Sequence, residues 1–319
     1  MRGARSARRR EQIAVSNAVN KAPIIICLGI AVRDLVFEVP SLPSTPRKLT
    51  ARALHHNGGG MAATAAVAAA ALGGNVSYWG RLGDDATGRE LREELQTLGV
   101  RVVSKLVPGT QTPLAAVLVA DNGDRLLAVF RGNSSTATDW LPIADLACAD
   151  AVHADFRWPE GARVLYREAR QKDIPRILDA DVGEPETLRQ LLPLVDHAIF
   201  SELGLAELSG TNDIDVGLRH AATLTHGVVA VTLGERGSVF RIDGFLHPVA
   251  TPVIVARDTN GAGDVFHGAY AFALARGDST LDAAGFASAV AALKCQKGGG
   301  WHAAPRIGEV NEFLKKSNP

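Results

Sequence analysis

The sequence has few cysteines, few aromatic residues and no excess of either charge. Its three cysteines, Cys27, Cys148 and Cys295, lack C-x-x-C spacing, which argues against a disulfide framework and against a thiolate zinc site. We therefore expect a reducing, cytoplasmic environment. The formal net charge is zero and aromatic residues make up only 5% of the chain, so neither a global field nor a base-stacking surface favours nucleic acid as a partner.

Long apolar runs are missing as well. The run Ile24 to Gly29 is far too short to cross a bilayer, and the alanine-rich run Met61 to Leu72 is bounded by glycines on both sides. No membrane partner is expected. The basic stretch 1–22 lacks the apolar core of a secretory signal, and we interpret it as an extension without regular structure; a transit peptide and a nucleic-acid arm are the alternatives.

What the chain does have is a hydrophobic fraction of 46%, enough for a buried core, and an alternation of strand and helix patterns. Short β-prone runs recur between helical or polar stretches, which predicts a doubly wound α/β domain. These runs cover residues 24–28, 76–79, 152–155, 176–179, 198–200 and 228–232. A β-ribbon is predicted over 240–255, and helices over 62–72, 263–276, 280–295 and 307–315.

Two further β-prone segments interrupt this alternation. One covers residues 35–57, and the other covers 113–131. The second contains Asp121-Asn-Gly123 between two apolar runs, which predicts a hairpin. We expect these segments to leave the main sheet and to pair with each other.

The most informative motif is Asp258-Thr-Asn-Gly-Ala-Gly-Asp264, followed by a helical pattern. Gly261, Ala262 and Gly263 let backbone N–H groups approach an anion at a helix start, where the helix dipole is positive. Asp264 beside such an anion has a chemical use if it accepts the proton of an attacking hydroxyl. A glycine-rich turn with a capping Asp would explain the glycines but not both acids.

This motif resembles the C-terminal signature of the PfkB (ribokinase-like) carbohydrate kinases, and the resemblance extends from Ile24 to Leu314. It implies a doubly wound, mostly parallel α/β sheet with a small β lid built from the insertions near 35–57 and 113–131, within a kinase domain spanning 23–319. It also implies ATP and Mg²⁺ as cofactors, a small sugar as substrate, Asp264 as catalytic base and a homodimer.

The resemblance assigns further site residues. Sugar-binding positions are Asp34, Gly58, Gly59, Gly60 and Thr64, although many members have Asn where Thr64 stands. Nucleotide-binding positions are Ser201, Thr232, Gly234, Gly237 and Gly263. Asp258 corresponds to a ligand of a monovalent cation such as K⁺ in several members.

One signature is absent. Where many members carry N-x-x-E, this chain has Ser201-Glu-Leu-Gly204. Magnesium is still expected, because the polyphosphate charge must be neutralised and phosphates and water can supply most ligands. Glu202 and Glu207 are candidate protein ligands, and a solvated helix charge is the alternative for each.

Within the family the chain is most similar to sulfofructose kinase, in runs that include Asp155-Phe-Arg157-Trp158 and Asp264-Val-Phe-His-Gly268. Lys48 and Arg157 match two positions that bind the sulfonate there. The third sulfonate-binding residue is an Asn, and Val129 stands at or near its position in this chain. The resemblance therefore implies a kinase for a ketose or an anionic sugar. A nucleoside kinase and a non-catalytic sugar-binding regulator remain as alternatives.

Overall fold

The computed structural model describes residues 21–133 and 135–317. Most of the basic stretch 1–22 lies outside the described residues, so its character remains a prediction. Within the described part of the chain, no helix combines the length and the apolar composition needed to cross a bilayer.

Strands of two sheets and a set of helices make up the fold. The described strands are β1 (Ile24–Gly29), β2 (Val32–Val39), β3 (Ala53–Gly59), β4 (Asn75–Gly83), β5 (Arg101–Val107), β6 (Leu114–Ala120), β7 (Arg125–Phe130), β8 (Ala151–Asp155), β9 (Arg176–Ala180), β10 (His197–Ser201), β11 (Val228–Thr232), β12 (Ser238–Ile242) and β13 (Phe245–Val249). The described α-helices are α1 (Met61–Ala71), α2 (Ala86–Thr97), α3 (Pro159–Arg170), α4 (Pro185–Leu191), α5 (Glu202–Ser209), α6 (Ile214–Ala222), α7 (Ala262–Ala275), α8 (Thr280–Lys297) and α9 (Ile307–Ser317).

The large sheet has the strand order β13-β12-β11-β10-β9-β8-β1-β4-β5. The strands from β11 to β5 pair in parallel, whereas β12 and β13 form an antiparallel edge. The chain leaves β1 towards β4 on one side and later returns to place β8 on the other side. Such a reversal opens a crevice beyond the carboxyl ends of the strands, where ligands of open α/β sheets bind.

Helices cover both faces of this sheet, which confirms the predicted doubly wound α/β class. Alternate residues of β1 show the two layers: Ile25 and Cys27 belong to the core under α1, α7 and α8, while Ile26 and Leu28 belong to the core under α3 to α6. A strand buried on both faces must be continuously apolar, which is the pattern that this run has.

Helix α1 is almost entirely alanine because it lies between the sheet and α7. Its residues from Met61 to Ala69 are buried. A Cβ atom on Gly268 of α7 would come within 2.2 Å of the Ala65 carbonyl oxygen, so the two helix backbones touch. At the start of α7, a Cβ on Gly261 would lie 3.6 Å from the Thr64 Cγ2. This close packing brings the first turns of both helices to the same crevice.

The second sheet has four strands in the order β3-β2-β6-β7. All four fall within or beside the two segments that the sequence analysis assigned to a lid, and β6 and β7 form the predicted antiparallel hairpin around Asp121-Asn-Gly123. Strand β2 joins the two halves, since it pairs with β3 antiparallel and with β6 in parallel. That this sheet closes over a substrate remains a proposal.

One local prediction was wrong. The predicted ribbon over 240–255 ends at Val249, and 250–255 form no strand. Asp34 lies inside β2, because only two residues separate the end of β1 at Gly29 from the start of β2 at Val32. As a result its side chain is held by a sheet instead of by a loop.

Candidate active site

The start of α7 has the geometry of an anion site. Gly261 is the N-terminal cap with φ 69°, a left-handed conformation that favours glycine, and no side chain caps this helix end. The first N–H groups of a helix have no partner inside it, and the dipole adds positive potential at the same place. The loop before it is fixed by hydrogen bonds from Ala262 N–H to Thr259 O at 3.3 Å and from Asn260 N–H to Asp258 Oδ1 at 2.9 Å.

Asp264 stands in the first turn of α7 and lines a cavity of about 500 Å³. Among the described residues, none donates a hydrogen bond to its carboxylate, so its oxygens are available to a ligand. Burial raises the pKa of Asp264 to about 7, and the negative charges of Asp181, Asp155 and Asp34 act in the same direction. A carboxylate with a pKa near neutrality is suited to accept a proton from an alcohol.

Asp179 and His267, which line the same cavity, form a buried polar cluster with His153. All three side chains are buried, and His267 Nε2 lies 3.4 Å from Asp179 Oδ1. Burial lowers the pKa of His267 to about 3, so this ring is neutral. Burial also raises the pKa of Asp179, with the charge of Asp264 as the next cause. The floor of the cavity thus contains a neutral imidazole and a carboxyl whose pKa is raised, beside Asp264.

The cavity brings together most of the predicted site residues. Those that line it are Asp34, Gly58, Gly59, Gly60, Thr64, Arg157, Ser201, Thr232, Asp258, Gly261, Ala262, Gly263 and Asp264. Burial raises the pKa of Asp34 to about 6, opposed by a hydrogen bond from the Asn260 side chain and by the charge of Arg33. Asp34 and Asp264 thus face the same volume from β2 and from α7.

The three glycines before α1 leave room for neighbours as well as for a ligand. A Cβ on Gly58 would lie 2.1 Å from the Trp301 ring, and one on Gly59 would lie 2.6 Å from an Asp34 oxygen. Trp301 also donates a hydrogen bond from its Nε1 to Thr64 Oγ1 at 2.9 Å. The hydroxyl of Thr64 is therefore engaged by an indole, and Trp301 forms a wall of the cavity that the sequence analysis did not identify.

A second cavity, of about 710 Å³, adjoins the first on the other side of the α7 start. Thr232, Thr259, Ala262 and Gly263 line both cavities. The predicted nucleotide positions Gly234 and Gly237 line the second one, together with apolar side chains such as Val253 and Phe266. An apolar pocket that leads to a helix N-terminus suits a planar base with a phosphate tail.

The altered signature at Ser201 has a steric reason at its far end. Ser201 caps α5, its Oγ accepting a hydrogen bond from Gly204 N–H at 3.0 Å. A Cβ on Gly204 would lie 2.6 Å from the Ala180 carbonyl oxygen, so a larger side chain there would require the backbone to shift. Glu202 lines neither cavity and pairs with Arg236 at 2.5 Å. The structure therefore does not support Glu202 as a magnesium ligand.

The two cationic residues predicted to bind an anionic sugar, Lys48 and Arg157, lie in different places. Lys48 is exposed on the β2–β3 connection and does not line the cavity. Arg157 does line it, donates to Val182 O at 2.9 Å and lies over the Phe156 ring. Burial lowers the pKa of Arg157, and the positive charge of Arg131, which also lines the cavity, is the next cause.

Asp258 is bound on two sides by cations. Arg125 of β7 donates to its Oδ1 at 2.9 Å, and Lys294 of α8 lies 3.5 Å from its Oδ2. Partial burial raises the pKa of Asp258, but the N–H of Asn260 and the charges of Lys294 and Arg125 outweigh it and hold the pKa below its usual range. The carboxylate that was predicted to bind a monovalent cation is thus paired with the ammonium of Lys294.

The cavity residues that the sequence analysis did not assign to the site include Asp181, Arg131, Lys294 and Trp301. Asp181 had a signal, because it follows strand β9 at the carboxyl edge of the sheet, where ligands gather. Lys294 had one too, as a lone charge in the alanine-rich helical run of α8. Arg131 and Trp301 lie after an edge strand and in a C-terminal turn, with no pattern that marks them.

Comparison with known proteins agrees with this geometry. A family model described as pfkB family carbohydrate kinase matches residues 23–306. A ribokinase of Arabidopsis thaliana is 28% identical over 312 residues, covering 93% of this chain and 82% of that protein. Fructokinase-1 of Zea mays is also 28% identical and covers 77% of this chain and 84% of its own length.

Solved structures give the same result. The structure of a candidate ribokinase from Agrobacterium tumefaciens is 33% identical, with a TM-score of 0.88, and the match covers 93% of this chain and 98% of that one. Arabidopsis thaliana ribokinase complexed with ribose and ATP is 26% identical, with a TM-score of 0.78 and coverage of 92% and 99%. The fold is therefore ribokinase-like. Since the family model spans most of its length, the chain belongs to the pfkB family of carbohydrate kinases, phosphotransferases with an alcohol group as acceptor.

Proposed function

We propose that this protein is an ATP-dependent sugar kinase that phosphorylates a hydroxyl of a ketose or of an anionic sugar, with Asp264 as the general base. One observation carries the proposal. The unpartnered carboxylate of Asp264 stands in the first turn of α7, in one cavity with Asp34 and Gly58 to Gly60, next to a second cavity that shares the same helix start. The general base Asp264, the sugar subsite and the phosphate subsite therefore lie next to one another.

In this mechanism the sugar lies in the first cavity, and the carboxylate of Asp34 accepts hydrogen bonds from its hydroxyls. Asp264 takes the proton of the attacking hydroxyl as the new oxygen–phosphorus bond forms and the bond from the γ-phosphorus to the bridging oxygen breaks, so that ADP leaves with that oxygen. The N–H groups at the start of α7, from Gly261 to Asp264, stabilise the charge on the transferring group. The phosphate chain of ATP reaches these N–H groups from the second cavity, and the adenine ring packs against the apolar wall of that cavity.

Bound magnesium would neutralise the charge of the polyphosphate. Asp181 is the cavity group that fits this cation, since its carboxylate is half-buried and accepts no hydrogen bond from the described residues. Ser201, which also lines the cavity, offers a hydroxyl oxygen on the same side of the sheet.

The anionic arm of the proposal depends on Arg157 and Arg131. Two guanidinium groups that line one cavity, with the charge of Arg131 helping to lower the pKa of Arg157, create a positive site for a carboxylate, phosphate or sulfonate. A sulfonated ketose belongs to this arm, although Lys48 contributes nothing to the cavity and Val129 offers only an apolar contact. The relatives favour neutral sugars, because they include ribokinases and fructokinases.

A coupled assay of ADP release over neutral ketoses, pentoses, sugar acids, sugar phosphates, a sulfonated ketose and nucleosides tests the proposal. We expect turnover with at least one sugar and with no nucleoside. For an anionic substrate, Arg157→Met should raise KM, whereas the matched change Arg163→Met on the exposed face of α3 should not. Sugar binding without ADP release would instead indicate a non-catalytic regulator, and selective turnover of nucleosides would indicate a nucleoside kinase.

We also propose a cytoplasmic homodimer. The described cysteines are unpaired, which suits a reducing compartment. The outer strand β7 exposes apolar side chains that a second copy could cover on the face opposite the cavity: Leu126 and Phe130 are 51% and 44% exposed, whereas Leu127 and Val129 line the cavity. Sedimentation of the purified protein as a monomer at all concentrations would contradict the dimer.

A further inference from the structure

Lys294 is a buried cation that the proposed mechanism does not use. It lies near the end of α8, and only 2% of the residue is exposed. An isolated charge is costly to bury, so the groups around its ammonium determine what it does. Among the described residues it is the most deeply buried lysine or arginine, ahead of Arg33 at 6%.

The ammonium is surrounded by oxygens from one short loop. Lys294 Nζ donates to the carbonyl oxygen of Asn260, to the carbonyl oxygen of Asp258 at 3.2 Å and to Asp258 Oδ2 at 3.5 Å. An ammonium has three donors, and here three oxygens receive them. Two carbonyls and a carboxylate that converge on one point are the ligand set of a hard cation, and the cation present belongs to the protein.

This loop leads directly into the anion site. Asn260 precedes Gly261, the cap of α7, and the side chain of Asn260 also reaches Asp34. The same turn of α8 holds the loop through its backbone, since Cys295 O accepts hydrogen bonds from Arg257 N–H at 2.9 Å and from Asp258 N–H at 3.2 Å. The position of Lys294 therefore sets the position of the N–H groups that face the phosphate.

We infer that the ammonium of Lys294 replaces the monovalent metal ion predicted at Asp258, so that the kinase orders its anion site without K⁺. A potassium ion does not fit beside Lys294, because the oxygens that would bind it already accept hydrogen bonds from the ammonium. The two positive charges would also repel each other. Lys294 is thus a positioning residue for phosphoryl transfer. The inference rests on the proposed kinase function, and it concerns how the anion site is held.

The test compares K⁺ with tetramethylammonium, a cation too large to enter, at equal ionic strength. Wild-type turnover and ADP affinity should be the same in both salts. Lys294→Ala should lose about 10²-fold in turnover in tetramethylammonium, because the anion site is displaced. K⁺ or NH₄⁺ should restore part of the lost turnover by binding to the oxygens that the ammonium of Lys294 no longer occupies. Lys294→Met, which fills that space with an apolar chain, should not be restored.

Lys297→Met is the matched control. It removes a lysine one turn further along α8, whose ammonium pairs with Glu309 at 2.7 Å and not with the oxygens of the loop. We expect wild-type turnover and no response to K⁺. Strong K⁺ activation of the wild-type enzyme, or wild-type turnover of Lys294→Ala without K⁺, would overturn the inference.

ADP affinity, measured by titration calorimetry, keeps the two proposals separate because it needs no sugar. If no sugar is turned over, the proposed function fails, while the response of ADP binding to K⁺ still tests Lys294. If a sugar is turned over and the wild-type enzyme binds ADP only with K⁺ present, the kinase function stands and the role of Lys294 is refuted.

Discussion

Replacing Asp264 by Asn should lower activity and raise stability at the same time. The substitution keeps the shape of the side chain but removes the base, and loss of a general base typically costs about 10²–10⁴-fold in turnover. The wild-type profile should also report this group. With a pKa of about 7, roughly a tenth of Asp264 is ionised at pH 6 and about nine tenths at pH 8. The rate at limiting sugar and Mg-ATP should therefore fall about tenfold between pH 8 and pH 6, because the pKa of the ligand-free enzyme governs the rate under these conditions.

The effect on stability has the opposite sign because the pKa is raised on folding. Asp264 has a pKa near 3.8 when exposed and about 7 in the folded chain, so the native state holds the extra proton between these values. Its contribution to stability is fully present below pH 4 and is lost as pH rises to 7. At pH 8 the Asn variant, which carries no charge to bury, should be more stable by on the order of 1–4 kcal/mol, the lower end being expected for a half-buried group.

The two measurements are coupled ADP release from pH 5.5 to 8.5 and chemical unfolding without ligands at pH 5 and pH 8. Asp139→Asn, at an exposed acid, is the control and should change neither. A flat activity profile across neutrality, or an acid limb that persists unchanged in Asp264→Asn, would refute the assignment. Equal stability of wild type and variant at pH 8 would show that the carboxylate is not held in a buried, charge-repelling site.

Three further changes test the walls of the two cavities. Gly58→Ala should destabilise the protein by about 1–3 kcal/mol and raise the sugar KM, because its methyl group would collide with Trp301; thermal unfolding and kinetics measure both effects. Thr64→Val should cost about 1–3 kcal/mol of unfolding free energy by leaving the buried Trp301 N–H unpaired, and an unchanged unfolding midpoint would contradict that bond. Ala291→Leu, in the second cavity, should raise KM for ATP and leave that for the sugar unchanged; the reverse outcome would mean that the nucleotide lies elsewhere.

Most of the fold could be predicted from local patterns. Continuously apolar runs such as Ile24 to Leu28 indicate strands buried on both faces, and Asp121-Asn-Gly123 indicates a hairpin, because these signals depend on neighbouring residues alone. The end of the ribbon at Val249 was missed because the β-prone run Val253 to Val255 continues the pattern. That run instead lies beside the second cavity, where no strand pairs with it.

The site could be predicted only in part, for a physical reason. The Asp258 to Asp264 motif is contiguous, so spacing alone places a carboxylate behind an anion site. The partners that complete the site come from distant positions: Trp301 lies against Gly58, and Lys294 reaches back to Asn260. The glycines before α1, which the sequence predicts as space for a ligand, therefore also make space for the Trp301 ring. A lysine in an alanine-rich helix is expected to face solvent, but Lys294 is buried.

The central claim is that Asp264 and the start of α7 meet at one acceptor hydroxyl. A crystal structure with the sugar identified by the ADP-release panel and a non-hydrolysable ATP analogue measures this directly. We predict that the acceptor oxygen lies about 2.6–3.2 Å from an Asp264 carboxylate oxygen, in line with the terminal phosphorus, whose oxygens receive N–H groups of the α7 start. A sugar bound in the same cavity with every hydroxyl beyond the reach of Asp264, or a phosphate chain bound away from α7, would contradict it.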